Sequence, residues 1–223
     1  MKKHVTLCAV LGMALLLGAA PAGAARAAEP AQTLPIYLIA GQSNAAGNTD
    51  FDADALAAED QRFVDGFENI LYYGSTDWAV NAEYSAAGPT PTVCGLGIGS
   101  GKIGPELGMA AWLAENGPEE RYGLIKYAAG STTIYDTMAN MCGTFGNWFS
   151  PTLQGTFGKL AEDRTGLCYR SFLEVVEKGL AAYRDAGYEP LISGLSGCRE
   201  RPTAAPRSRR SWWTPFSPPS CGT

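Results

Sequence analysis

Residues 34–44 read Leu-Pro-Ile-Tyr-Leu-Ile-Ala-Gly-Gln-Ser-Asn, an apolar, β-prone run that ends in a glycine and leads directly to a serine. A short apolar run of this kind is typical of a strand that is buried on both faces of an α/β sheet. It predicts a buried strand over Leu34–Ala40, with Ser43 just past its end. Open α/β sheets bind their ligands beyond the carboxyl ends of their strands, so Ser43 is the first candidate for a functional residue.

Helix and strand patterns alternate along the rest of the chain. Gly104-Pro105-Glu106 opens an apolar segment that stops at Asn116-Gly117-Pro118, which predicts a helix with proline in its first turn. Residues 122–128 predict the next strand. Residues 169–186 then place apolar side chains at helical spacing, and Leu191-Ile192 opens a further strand. This alternation predicts an α/β fold with a parallel, doubly wound sheet.

Ser43 has two interpretations. A serine after a strand can be a turn or N-cap residue, or it can be a nucleophile. A serine hydroxyl is a weak nucleophile until a neighbouring base takes its proton. The only histidine of the chain is His4. The sequence therefore indicates half of an active site.

Residues 1–28 have the pattern of a signal peptide. Two lysines precede an apolar stretch from Val5 to Ala20, and small-residue cleavage sites follow up to Ala27. The apolar stretch is short for a membrane span and is interrupted by glycines. We expect a secreted or periplasmic protein without a stable membrane anchor, from which cleavage removes His4.

The charge of the chain argues against nucleic acid as a partner. Residues 29–195, which we expect to form one domain, carry 9 lysines and arginines against 21 aspartates and glutamates, a net charge of −12. A surface this acidic repels phosphate backbones. The composition changes at residues 196–223, where five arginines, paired tryptophans, prolines and serines replace the periodic pattern. This composition predicts a disordered, basic and aberrant tail. The oligomeric state stays open.

Three weaker patterns fit ordinary structural roles better than they fit binding sites. Residues 99–104 match Gly-x-Gly-x-x-Gly, but an exported protein meets little dinucleotide, and we interpret them as a loop. Residues 50–54 are acidic but lack the glycine and distal glutamate of a calcium loop, which favours a solvated acidic turn. Three cysteines of the body permit one disulfide or free buried thiols, and no histidine supports a zinc site: Cys94, Cys142 and Cys168. We predict no cofactor and no metal.

Several stretches resemble the sequence blocks of a known family. Residues 36–47 read Ile-Tyr-Leu-Ile-Ala-Gly-Gln-Ser-Asn-Ala-Ala-Gly, and residues 103–110 read Ile-Gly-Pro-Glu-Leu-Gly-Met-Ala. Residues 124–134 read Leu-Ile-Lys-Tyr-Ala-Ala-Gly-Ser-Thr-Thr-Ile, and residues 148–151 read Trp-Phe-Ser-Pro. In this order the blocks resemble the carbohydrate esterases related to sialate O-acetylesterase and acetylxylan esterase, a branch of the SGNH hydrolases. The resemblance extends over residues 34–192.

The resemblance implies a fold, an activity and a set of site residues. The fold is a flavodoxin-like three-layer α/β/α SGNH-hydrolase fold, here incomplete at the C-terminus, and the activity is removal of acetyl groups from sugar hydroxyls. Ser43 is implied as nucleophile, with its own N–H and that of Gly130 as oxyanion hole. Possible substrate-pocket residues are Gln42, Asn44, Glu106 and Thr132. Ser131 stands where the family has a second glycine, so it strains the loop if that position needs a positive φ.

The tail suggests a shifted reading frame. In the family that this chain resembles, the strand that corresponds to Leu191-Ile192 continues into Trp-x-Gln-Gly-Glu-x-Asp. Residues 196–203 of this chain read Ser-Gly-Cys-Arg-Glu-Arg-Pro-Thr instead. These residues can be encoded by codons that, when read one base out of frame, translate as Trp-Met-Gln-Gly-Glu-Ala-Asp. Because each residue has several codons, such a match can also be obtained by choosing among them. We hypothesise a frameshift near Leu195, which would also account for the family's missing Asp-x-x-His block and would leave an exposed sheet edge and apolar surface.

Three interpretations of function remain. The first is an acetylesterase whose 223-residue chain is inactive for lack of a catalytic histidine. The second is a non-catalytic carbohydrate-binding protein, in which aromatic side chains stack on sugars: Trp78, Tyr84, Tyr135 and Trp148. The third is a product that does not fold stably. The particular acetylated glycan, whether sialic acid, xylan or another, is not specified by the sequence.

Overall fold

The computed structural model describes residues 31–74, 88–98, 101–132, 146–148, 150 and 165–198. Outside these residues lie the predicted signal peptide, residues 199–223 of the tail, and Trp78, Tyr84, Tyr135 and Cys142. In chain order the described elements are β1 (Gln32–Gly41), α1 (Ser43–Ala46), β2 (Thr49–Asp50), α2 (Ala53–Glu59), α3 (Arg62–Asp65), β3 (Phe67–Gly74), β4 (Thr90–Thr92), β5 (Lys102–Ile103), α4 (Pro105–Asn116), β6 (Tyr122–Ala128), α5 (Leu167–Asp185) and β7 (Tyr188–Cys198).

Five of the strands form one sheet in the order β4-β3-β6-β1-β7. Strands β3, β6, β1 and β7 run parallel, and β4 pairs antiparallel with β3 at one edge. Strands β2 and β5 form a separate two-stranded antiparallel ribbon. The predicted α/β fold with a mainly parallel sheet is confirmed. None of the helices in the described ranges is long and apolar enough to cross a bilayer.

Helices cover both faces of the sheet. On one face, Leu34 and Ile36 of β1 pack in a buried cluster with Val175 and Tyr183 of α5. On the other face, Leu124 of β6 packs in a second cluster with the buried side of α4. This three-layer α/β/α arrangement explains why apolar and polar residues do not alternate in β1. Successive side chains of the strand point to opposite faces of the sheet, and both faces are covered by apolar partners.

Most element boundaries lie close to those the sequence predicts. Strand β6 and helix α4 match their predicted ranges, whereas α5 and β7 each begin a few residues earlier than expected. Strand β3 was not predicted, because Glu68 and Asn69 interrupt the start of its apolar run. The acidic cluster is only partly a turn. Asp52 caps helix α2, and its Oδ1 accepts hydrogen bonds from the N–H groups of Asp54 at 2.9 Å and Ala55 at 3.2 Å.

Strand β7 is an edge of the sheet. It pairs with β1 through residues 32–41, and no strand pairs with its other side among the residues that the structure describes. Three of its large apolar side chains are exposed, Leu191 at 58%, Ile192 at 50% and Leu195 at 64%. Strand β7 also continues to Cys198, so the first three residues of the predicted tail belong to the sheet.

Candidate active site

Ser43 lies at a sharp turn from strand to helix. Strand β1 ends at Gly41, whose φ of 148° favours glycine, and α1 begins two residues later at Ser43. The carbonyl oxygen of Gln42 accepts hydrogen bonds from the N–H groups of Ala45 and Ala46, both at 2.8 Å. These bonds fix the single turn of α1. They place Ser43 past the carboxyl end of β1, where parallel sheets bind ligands.

The hydroxyl of Ser43 has no capping role. The N-cap position of α1 is Gln42, and no side chain caps this helix. The Ser43 hydroxyl donates to Oε1 of Gln42 at 3.3 Å, and this is its one side-chain hydrogen bond within the described ranges. The N-cap interpretation of Ser43 therefore does not fit, and the hydroxyl is available for chemistry.

Strand β6 brings a second loop to the same end of the sheet. Gly41 lies opposite Ala128 in the parallel register, and the N–H of Ala129 donates to the carbonyl oxygen of Gly41 at 3.0 Å. Gly130 follows directly. Considering the described residues only, neither the Ser43 N–H nor the Gly130 N–H has an acceptor. Two unused N–H groups at one edge can together hold a negatively charged oxygen.

The loop after Gly130 has the strained backbone that the family resemblance anticipated. Ser131 has a φ of 54° and is the one residue other than glycine with a positive φ in the described ranges. This conformation costs a serine on the order of 1 kcal/mol relative to glycine. The next residue, Thr132, donates its hydroxyl to the carbonyl oxygen of Ala129 at 2.6 Å, which holds the turn closed.

The expected pocket residues differ in where they lie. Gln42 is half-buried and Asn44 is exposed, both beside the nucleophile candidate. Glu106 is 0% exposed and Thr132 is 6% exposed. The Thr132 hydroxyl accepts a hydrogen bond from Nε1 of Trp148 at 3.0 Å. Both side chains are buried, and their roles as substrate-pocket residues stay a prediction.

A buried ion pair joins the end of α1 to its neighbours. Nζ of Lys126 lies 2.8 Å from Oε2 of Glu106, and each side chain is 1% exposed. The same ammonium group donates to the carbonyl oxygens of Ala46 at 3.2 Å and Leu96 at 2.7 Å. Oε1 of Glu106 accepts from the N–H of Gly104 at 3.0 Å. Strand β6 is thereby tied to the end of α1, to the segment before β5 and to the start of α4.

Two glycines form the contact between α1 and α4. Gly47 ends α1 with a φ of 87°, and a Cβ built on it would lie 2.5 Å from the Cα and 2.7 Å from the N of Gly104. The carbonyl oxygen of Gly47 accepts a hydrogen bond from the N–H of Ile98 at 2.8 Å. The backbones meet without room for a side chain, so the position of the turn depends on both glycines.

Trp148 is partly buried and packs against the core. Its ring centroid lies 5.5 Å from that of Tyr127 and 6.2 Å from that of Phe172. Cys94 and Cys168 do not form a disulfide with each other. Burial raises the pKa of the Cys94 thiol, which keeps it protonated.

Sequence reasoning missed the contribution of Lys126. A lone lysine inside an apolar strand, Leu124–Tyr127, was the available signal, because such a lysine needs buried partners. The described residues include no histidine, and His4 lies outside them. The site as described contains the Ser43 hydroxyl and two backbone N–H groups, those of Ser43 and Gly130.

The chain matches the profile of the family described as carbohydrate esterase, sialic acid-specific acetylesterase, over residues 33–152, which is more than half of its length. The matched segment contains Ser43, the Lys126–Glu106 pair and Gly130. No curated protein and no solved structure matches the chain.

Proposed function

Because the chain belongs to the sialic acid-specific acetylesterase family of carbohydrate esterases, we propose that Ser43 is the nucleophile of a carbohydrate O-acetylesterase. One observation supports this role above the others. Ser43 opens α1 at the carboxyl end of β1, beside the Gly130 loop of β6, and its hydroxyl caps no helix. The substrate we propose is an O-acetylated sugar, such as an acetylated sialic acid or xylan.

The proposed reaction is acyl transfer in two steps. Oγ of Ser43 attacks the acetyl carbonyl carbon while a base takes the hydroxyl proton. The N–H groups of Ser43 and Gly130 hold the resulting oxyanion, and one such donor contributes about 3 kcal/mol in enzymes of this type. The tetrahedral intermediate then expels the sugar oxygen, which receives the proton. Water attacks the acetyl-serine by the same path and releases acetate.

The base is the missing part of this mechanism. The chain has a single histidine, His4, and we propose that the signal peptide containing it is removed on export. Loss of a catalytic base lowers turnover by several orders of magnitude, while oxyanion stabilisation leaves a residual rate. We therefore propose that this 223-residue chain hydrolyses acetyl esters slowly.

Acetate release tests the proposal directly. The purified chain is incubated with p-nitrophenyl acetate and with acetylated sugars, alongside Ser43→Ala and the control Ser193→Ala, which alters an exposed serine of β7. We expect slow release that Ser43→Ala abolishes and Ser193→Ala preserves. Release that survives Ser43→Ala would rule out Ser43 as nucleophile. Fast release that depends on Ser43 would instead show that a base other than histidine serves the site.

The single histidine also favours a second candidate, a carbohydrate-binding protein that retains the fold without turnover. Trp148 is partly buried against the core, so sugar stacking would use its exposed part together with Trp78, Tyr84 and Tyr135. Titration calorimetry with acetylated and deacetylated oligosaccharides separates the two candidates. Micromolar binding without acetate release supports the binding protein.

We further propose that the residues after Leu195 derive from a shifted reading frame. The change of composition at this point and the exposed apolar side chains of β7 support this. Resequencing the source DNA from the codon of Ala186 onward tests it. A neighbouring frame that reads Trp-Met-Gln-Gly-Glu and reaches Asp-x-x-His supports an active parent enzyme. A single open frame through residue 223 contradicts the shift.

A further inference from the structure

The Lys126–Glu106 pair connects segments that are distant in sequence but adjacent at the candidate site. Lys126 lies in β6, four residues before Gly130. Its ammonium group contacts the carbonyl oxygen of Ala46, the last residue of α1, at 3.2 Å. One side chain thus links the helix that begins at Ser43 to the strand that leads into the Gly130 loop.

We propose that Lys126 and Glu106 are positioning residues for the Ser43 turn. The pair holds α1 at a fixed distance from the end of β6, and so sets the spacing between the Ser43 and Gly130 N–H groups. This inference rests on the proposed function for its catalytic meaning. The positioning itself is a property of the fold and can be measured without turnover.

A general stabilising role explains the pair less well. Removing two charges from water costs about as much as their attraction returns, so a buried ion pair contributes little net stability compared with apolar side chains. The pair instead connects particular segments of the chain to one another. The acceptors of the Lys126 ammonium come from the end of α1, the segment at Leu96 and the start of α4. The β2–β5 ribbon and the bond from the Ile98 N–H to Gly47 also connect these segments, and the ammonium group adds a contact with all three at once.

The position of Glu106 adds to this argument. Its Oε2 accepts from Lys126, while its Oε1 accepts from the N–H of Gly104, the residue that contacts Gly47. The carboxylate therefore orients the ammonium group and the start of α4 together. Glu106 acts on the Ser43 turn only through these contacts and touches no reacting atom.

The test is amide hydrogen exchange in a matched set of variants. Lys126→Met/Glu106→Gln removes the tether and both charges while retaining side-chain size. Glu106→Gln alone keeps the ammonium and its contacts with the two carbonyl oxygens. Tyr183→Phe is the control, because it removes a buried hydroxyl that lies 2.8 Å from the carbonyl oxygen of Leu71 on the opposite face of the sheet.

We expect the double variant to fold and to lose about tenfold or more in protection at the Ala46 and Gly47 amides, the effect of one charge-assisted hydrogen bond. Protection in β1 and β6 should change no more than in Tyr183→Phe. Glu106→Gln should lose less α1 protection than the double variant, because Lys126 keeps its two carbonyl acceptors although its charge is then unpaired. Uniform loss across the sheet, unchanged α1 amides, or a double variant that does not fold would each overturn the inference, since each assigns the pair another role.

The outcome is separable from that of the proposed function. If the wild-type chain releases no acetate and the tether still controls α1 exchange, the positioning inference stands and the esterase proposal fails. If acetate release depends on Ser43, the double variant should lower kcat while KM stays within about twofold, because positioning acts on the transition state. If the double variant instead raised KM and left kcat unchanged, the result would contradict a positioning role.

Discussion

Replacing Gly47 with alanine should separate steric crowding from backbone strain at the Ser43 turn. A Cβ at this position would lie 2.5 Å from the Cα of Gly104 and 2.8 Å from the carbonyl carbon of Ile103. Carbon atoms in contact are normally about 3.5 to 4.0 Å apart, so the two backbones must separate by about 1 Å. The φ of 87° adds the cost of a left-handed conformation.

These two costs can be estimated from their causes. Placing a residue with a Cβ in a left-handed conformation costs about 1 to 2 kcal/mol. Forcing an extra carbon into a packed contact costs about 1 to 3 kcal/mol. Gly47→Ala should therefore lower the free energy of unfolding by about 2 to 5 kcal/mol, a large part of the stability of an ordinary domain.

Two other glycines provide the controls. Gly187 has a φ of 92° with nothing within 4 Å of a built Cβ, so Gly187→Ala measures the backbone strain alone. Gly101 has neither a positive φ nor a neighbour within 4 Å. Gly101→Ala should be neutral or stabilise by about 0.5 kcal/mol through the unfolded state.

Urea unfolding followed by circular dichroism measures all three variants. The free energy of unfolding should be highest for Gly101→Ala, lower for Gly187→Ala and lowest for Gly47→Ala. The slope of that free energy against urea concentration should be the same in all three variants. If Gly47→Ala is as stable as Gly187→Ala, the close contact between α1 and α4 does not constrain the turn, and the reasoning is refuted.

Further predictions concern the Gly130 loop, a tyrosine and the sheet edge. Ser131→Gly should raise the free energy of unfolding by about 1 kcal/mol, since Ser131 has a φ of 54°; a loss of stability in urea would show that the serine side chain compensates for its strain. Burial and a hydrogen bond to Glu120 raise the pKa of Tyr122 from 10.0 to about 12. Because the protonated form is favoured in the folded protein, its contribution to stability is complete below the unfolded pKa and is lost as the pH rises toward about 12. Tyr122→Phe should reduce this alkaline loss, as measured by unfolding at a series of pH values, and an unchanged profile would assign the loss to other tyrosines. Leu195→Lys should leave the melting temperature nearly unchanged, because Leu195 is 64% exposed, and should reduce concentration-dependent light scattering, because a charge on an edge strand opposes pairing. Equal scattering by the exposed-surface control Trp112→Lys would show that the effect is not specific to the edge.

Local signals were sufficient to predict several elements. Pro105 and Gly117 bracket α4, and the unbroken apolar run of β1 indicated a strand buried on both faces. Strand β3 escaped detection because Glu68 and Asn69 give it a polar start, although its later residues are buried by tertiary contacts. Propensity alone cannot represent such contacts.

The side chains of the site were harder to predict than the backbone that supports them. Ser43 lies where the end of an apolar strand suggested, because strand direction alone determines that edge of the sheet. Glu106 and Thr132 lie in blocks that resemble a catalytic family, yet both face inward. The partners of Lys126 include a carbonyl oxygen 80 residues away in the sequence, and no local pattern encodes that contact.

The place of β1 in the sheet has a consequence for how the protein folds as it is synthesised. Strand β1 leaves the ribosome first among the described strands, but its partners are β6 and β7, which are made much later. Its apolar side chains must remain without their neighbours until then. Sheets closed by such distant pairings fold slowly, in about milliseconds to seconds. Until β6 and β7 are made, the nascent chain presents the apolar run of β1 to solvent, and their arrival completes the neighbours of β1 at the edge where Ser43 lies.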